Sequence, residues 1–162
     1  MPYLDKTAKI ILQIMINSLN CYAALRRVIA DEFKNNSDPD KNFLKVCDMY
    51  KGELEEGAEW KASLPALFIE LYREDVTRFA GAVAHQNELT FNLFLADKNL
   101  EEPSVLEHME EIKSFLNGKL LNAAGDGDPA KWCKVIYEGS HFHAYIRGLG
   151  AAYIMTFKAI IN

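Results

Sequence analysis

The sequence predicts an all-α protein, with seven to eight helices of mixed length around one strongly apolar helix near the middle of the chain. Three observations predict it. Apolar residues recur at three- and four-residue spacing over most of the 162 residues. Helix-start signals (Asp38-Pro39, Ser104 to Glu107, Asp128-Pro129) stand ahead of periodic segments. Alternation with a period of two, the mark of a half-buried strand, is nowhere sustained.

Taken in order, residues 5–19 carry Ala8, Ile11, Leu12, Met15 and Leu19 on one stripe, with Asp5 as N-cap. A second helix covers "CYAALRRVIADEFKNN", residues 21–36, with Leu25, Val28, Ile29 and Phe33 at helical spacing. Pro39 opens a short helix that carries Phe43, Leu44, Val46, Cys47 and Tyr50. "KGELEEGAEW" is acidic, holds two glycines and reads as a connector. Ser63 and Pro65 start a helix with Leu64, Leu67, Phe68, Leu71 and Tyr72 on its apolar side. A break near 74–77 separates it from the very apolar helix starting around Phe79 and running to Ala96. A further helix runs from Ser104 to about Asn122. The strongest turn, "AAGDGDPAKW", precedes a last pair of short helices interrupted near Gly139 and over 148–150.

The length suits one domain, residues 1–162. A composition of 49% hydrophobic and 25% charged residues is that of a soluble globular protein. The net charge of −5 and the lack of a basic run argue against a nucleic-acid partner. Cys21, Cys47 and Cys133 are odd in number and far apart, which predicts reduced, buried thiols in a cytosolic protein. The N-terminus lacks the basic-then-apolar order of a secretory signal. The tail "GLGAAYIMTF" is about half of the ~20 residues a membrane span needs, so no span is expected.

No catalytic set emerges, so the chain is read as a non-enzyme without cofactor. His141 and His143 resemble a metal pair, but on a helix residues two apart point away from each other. His85 with Glu88 is another weak pair, and Glu55, Glu56 and Glu59 fit a solvated connector. No phosphate loop, dinucleotide fingerprint or nucleophile elbow is present. No metal site is assigned.

Two blocks carry a resemblance. Leu25 with Ala30-Asp31-Glu32-Phe33 is similar to the third homology motif of the Bcl-2 family of apoptosis regulators. Glu70-Leu71-Tyr72-Arg73-Glu74, then Val76 and Phe79-Ala80-Gly81-Ala82-Val83-Ala84, resembles the family's first motif leading into its buried central helix. Trp132 and Gly139-Ser140 loosely resemble the second. Leu25 stands one residue out of register, and Phe79-Ala80-Gly81 replaces a tryptophan-glycine-arginine turn, with Arg78 in reach of the missing arginine's role.

The resemblance implies a Bcl-2-like helical bundle, and its divergence implies a viral pro-survival homologue in the host cytoplasm or, through its partners, at the mitochondrial surface. Such a protein inhibits apoptosis by holding the amphipathic death-motif (BH3) helices of pro-apoptotic host proteins in a hydrophobic groove. Carried onto this sequence, Phe33, Phe43, Val46 and Met49 form one wall, Leu67, Leu71 and Val83 the floor or opposite wall, and Arg78 the polar anchor. The other reading is an all-α protein-interaction module, viral or bacterial, unrelated to apoptosis and possibly a homodimer.

Overall fold

The sequence from Lys6 to Phe33 holds no glycine or proline, and it forms one uninterrupted 28-residue helix, α1 (Lys6–Phe33), where two helices were expected. Its end is tied by the amides of Lys34 and Asn35, which both donate to the Ala30 carbonyl. The computed structural model describes residues 6–78, 85–98, 104–124 and 130–161. After α1, Asp38 caps a single 3-10 turn by accepting from the Asp40 amide, with Pro39 in its first position, but the short helix expected to carry Phe43 to Tyr50 does not form and Val46–Met49 are a strand instead.

From there the fold departs from the all-α expectation. Among the described residues six strands form one sheet, joined by only two α-helices, α1 and α2 (Ser104–Leu116). The strands are β1 (Val46–Met49), β2 (Ala66–Arg78), β3 (His85–Asp97), β4 (Leu120–Asn122), β5 (Trp132–Ile146) and β6 (Gly150–Ile161). Their order is β1-β2-β3-β6-β5-β4. β1 runs parallel to β2, and every other pair is antiparallel. The bundle of seven to eight helices is thereby corrected. Both edge strands are very short, which limits the unpaired backbone they offer to other chains. The sheet curls, so that α1 touches both edges, β1 and β4.

The physical reason for the correction lies in two-sided burial. In β3, Leu89, Phe91, Leu93 and Leu95 point to α1 while Phe94 and Ala96 point to the other face, and all are buried. In β2, Leu67 and Ile69 point inward, whereas Ala66 and Phe68 point outward. A strand covered on both faces reads as a continuous apolar run, and any such run also satisfies helical spacing. The expected helix starting at Ser63, much of the expected central helix and the last short helices are β2, β3, β5 and β6 instead. Residues 79–84 of the expected central helix lie outside the described residues.

Two apolar layers result. The inner one packs Cys21, Leu25, Ile29 and Phe33 of α1 and Val105, Met109, Ile112 and Leu116 of α2 on the concave face. The outer one covers only one end of the convex face. There the 50–65 segment between β1 and β2 lies over the sheet, Tyr50 stacking on Phe94 at 4.2 Å and Trp60 meeting Phe68 edge-on at 5.8 Å. Farther along that face the rows turn polar. Glu70, Asn92 and Thr156 form a hydrogen-bonded line across three strands, and Lys158 pairs with Glu88 at 3.0 Å and with Glu138 at 3.5 Å.

Candidate functional site

The 50–65 segment and the β5–β6 turn meet at one end of the sheet, and Trp60 stands between two pockets there. The indole is fixed from two sides, by its edge contact with Phe68 and by donating Nε1–H to the Ala62 carbonyl at 2.7 Å. On one side lies a pocket of about 580 Å³ lined by Lys45, Ser63, Leu64, Lys98 and Leu149 as well as Trp60. On the other lies one of about 550 Å³, whose charged lining is Glu53, Glu55, Glu56 and Arg147. The two share Trp60 and Leu149. Volumes in this range hold small ligands.

Backbone bonds hold the two lysines at the pocket. The Lys45 amide donates to the Pro65 carbonyl at 2.8 Å, and the neighbouring Leu44 amide to Phe33. Lys98 follows the last residue of β3, Asp97, whose carboxylate is buried. One Asp97 oxygen accepts from the Lys98 amide at 2.7 Å, and the other lies 2.7 Å from Nδ1 of His108 on α2. His108 in turn stacks flat on Phe43. The pair thus ties α2, the end of β3 and the segment before β1 together behind the pocket wall. Gly150, the first residue of β6, directly follows the pocket residues Gly148 and Leu149. An added Cβ there would lie 1.8 Å from the Asp97 carbonyl oxygen, so only glycine allows the strands to close at this point.

The electrostatics are one-sided. Among the described residues neither Lys45 nor Lys98 makes an ion pair, whereas Lys41, Lys51, Lys61, Lys113 and Lys158 do. Two lysines that make no ion pair among the described residues, lining one pocket with apolar side chains, attract an anion. His108 bonds Asp97 but does not line the pocket, and among the described residues no three His, Cys, Asp or Glu side chains gather as a metal site. His141 and His143 both lie exposed on β5.

The groove inferred from the Bcl-2 resemblance is not assembled. Phe33 is buried between Phe43 and Phe115, and Leu67 is fully buried under α1 with Leu71 packed against the same layer. Val46 packs on the opposite face of the sheet, and Met49 is exposed beside it in β1. Arg78 ends β2, its side chain outside the described set, and Val83 lies outside the described residues altogether. Phe33 and Phe43 do come together, 5.0 Å between ring centroids, but as core. The pocket residues escaped sequence reasoning because they come from four separated stretches. The one visible signal was Trp60 inside an otherwise acidic connector.

No protein-family model matches this chain, and no curated protein matches it. Neither the apoptotic reading nor a viral source finds support in these comparisons.

Proposed function

We propose that the protein is a non-enzymatic binding protein whose Trp60 pocket takes a small ligand with a carboxylate or phosphate group and a flat or apolar body. One observation carries this reading: Lys45 and Lys98, both free of ion pairs among the described residues, line one pocket together with an indole. The anionic group meets the two ammonium groups, and the body lies against Trp60, Leu64 and Leu149. The glutamates beyond Trp60 repel a second anion and set the direction of binding. The helix-groove mechanism is dropped, because among the described residues the segments that were to wall the groove after α1 are strands rather than helices.

Trp60 reports on the pocket directly. The sequence has two tryptophans, and Trp132→Phe leaves Trp60 as the single emitter. Titrating that variant with nucleoside phosphates and aromatic carboxylates should change the Trp60 emission for one class. Adding Lys45→Ala and Lys98→Ala should weaken the response by roughly tenfold or more, since each charged hydrogen bond contributes ~1.5–3 kcal/mol. An unchanged emission across both classes, or equal binding by the lysine variants, would overturn the reading.

A further inference from the structure

Helix α1 has two apolar faces, and only one is used. Asn17, Ser18, Cys21, Ala24, Leu25 and Ile29 turn inward and are buried. On the opposite side Leu12, Met15, Ile16 and Leu19 form a stripe at spacings of three, four and seven, with exposures of 49%, 54%, 39% and 64%. Single exposed apolar residues are ordinary, but four on adjacent turns of one helix are a surface seeking a partner.

The charges beside the stripe identify the kind of partner. In a chain with 23 acidic and 18 basic residues, the stretch from Lys6 to Ala30 contains no acid and four bases. Lys9 stands seven residues before Ile16, and Arg26 seven after Leu19, so cations bracket the stripe along its own ridges. Lys9, Arg26 and Arg27 are exposed, and Arg26 makes only a surface pair with Asp48 at 3.2 Å. Four side chains fall far short of the roughly 800 Å² per partner of a standard protein interface. They do suit a lipid leaflet, where short apolar stripes enter the acyl boundary while lysines and arginines reach up to phosphates. Among the described residues no helix is long and apolar enough to cross a membrane, so the contact is one of lying on the surface.

We propose that the outward face of α1 docks the protein on an anionic lipid surface, with Leu12, Met15, Ile16 and Leu19 inserted and Lys9, Arg26 and Arg27 against lipid phosphates. The test is vesicle flotation with phosphatidylserine–phosphatidylcholine and with pure phosphatidylcholine vesicles, paired with light scattering of the free protein. The protein should float with the anionic vesicles only, and about tenfold less when salt rises from about 0.1 to about 0.5 M. Leu19→Glu and Lys9→Glu, both at exposed positions, should each lower the bound fraction about tenfold at unchanged helicity. Lys61→Glu, away from α1, should not. Failure to float, equal flotation with neutral vesicles, or insensitivity to both α1 variants would overturn the proposal. So would a dimer in solution that Leu19→Glu dissolves, which would give the stripe to a second copy of the chain.

Discussion

The sulfurs of Cys21 and Cys133 lie 3.3 Å apart and fully buried, although 112 residues separate them in the chain. Cys21 is on the inner face of α1 and Cys133 on the inner face of β5, so the contact pins the helix to the sheet. The hydrogen bond shared with Cys133, in which Cys21 keeps its proton, and burial both push the Cys21 thiol well above its ordinary range. All three cysteines are free and buried. In the native protein they should react with a thiol reagent only on the timescale of opening, and all three should react in denaturant. Hydrogen peroxide can join the pair, the two thiols giving up two protons and two electrons as the peroxide becomes two waters. The thiol count in denaturant should then fall from three to one. Cys21→Ser, with two thiols left, should keep both under the same treatment. A wild-type count that stays at three would show that the pair does not close.

Cys47 makes stability sensitive to alkali. Burial is the main cause that raises its thiol from the ordinary 9.0 to about 11, with the charges of Arg26 and Lys34 opposing it. The folded chain therefore holds this proton where the unfolded chain has lost it. That contribution is complete below pH 9 and disappears as pH rises through about 11. A shift of this size corresponds to about 2–3 kcal/mol. Urea melts between pH 8 and 11 should show a steep loss of stability, shallower in Cys47→Ala. Equal slopes for the two proteins would assign the loss to other groups.

The Glu74 carboxylate joins α1 to the β2–β3 hairpin. Its Oε1 accepts from the Ser18 hydroxyl at 2.6 Å and from the Asn87 amide at 2.7 Å. Removing it takes one charged acceptor away from each of two buried residues, while Asn87 keeps its 3.3 Å bond to the Ser18 hydroxyl oxygen. Glu74→Ala should cost about 2 kcal/mol in a denaturant melt. Glu138→Ala, which removes only a long surface contact to Lys158, should cost well under about 1 kcal/mol.

Gly150→Ala should be among the most damaging small changes in the chain. Its new methyl would overlap the Asp97 backbone and force β3 and the β5–β6 turn apart, at a cost of about 3 kcal/mol. Gly118→Ala places its methyl in open space, so only its positive φ of 83° counts against it, at about 1 kcal/mol. Thermal melts of the two variants side by side should separate them. Because Gly150 directly follows Leu149 of the pocket lining, the first variant should also weaken ligand binding at Trp60.

Asp97 holds the pocket from behind, and its carboxylate is buried between Lys98 and His108. Asp97→Ala should destabilise the protein by about 3 kcal/mol, because the imidazole and the Lys98 amide both lose their acceptor. Where the variant still folds, its affinity for the Trp60 ligand should drop with unchanged Lys45. Native-like affinity in a folded Asp97→Ala protein would mean that Lys98 needs no such support.

The sequence by itself determined the helices that have one buried face. The stripe of Leu25, Ile29 and Phe33 was readable and is core, and so was the segment beginning at Ser104, although it stops at Leu116, ahead of Gly118. The Asp38-Pro39 cap was readable because a cap is a local hydrogen bond. Tertiary structure alone decided the rest. Leu89, Phe91, Leu93 and Leu95 do alternate, but Phe94 and Ala96 fill the gaps, and only the 50–65 segment lying over the outer face explains why both sets are apolar. The Cys21–Cys133 contact and the Lys45–Lys98 pocket join residues remote in sequence. No local preference encodes them, because they exist only once the sheet has curled and fixed which strands are neighbours.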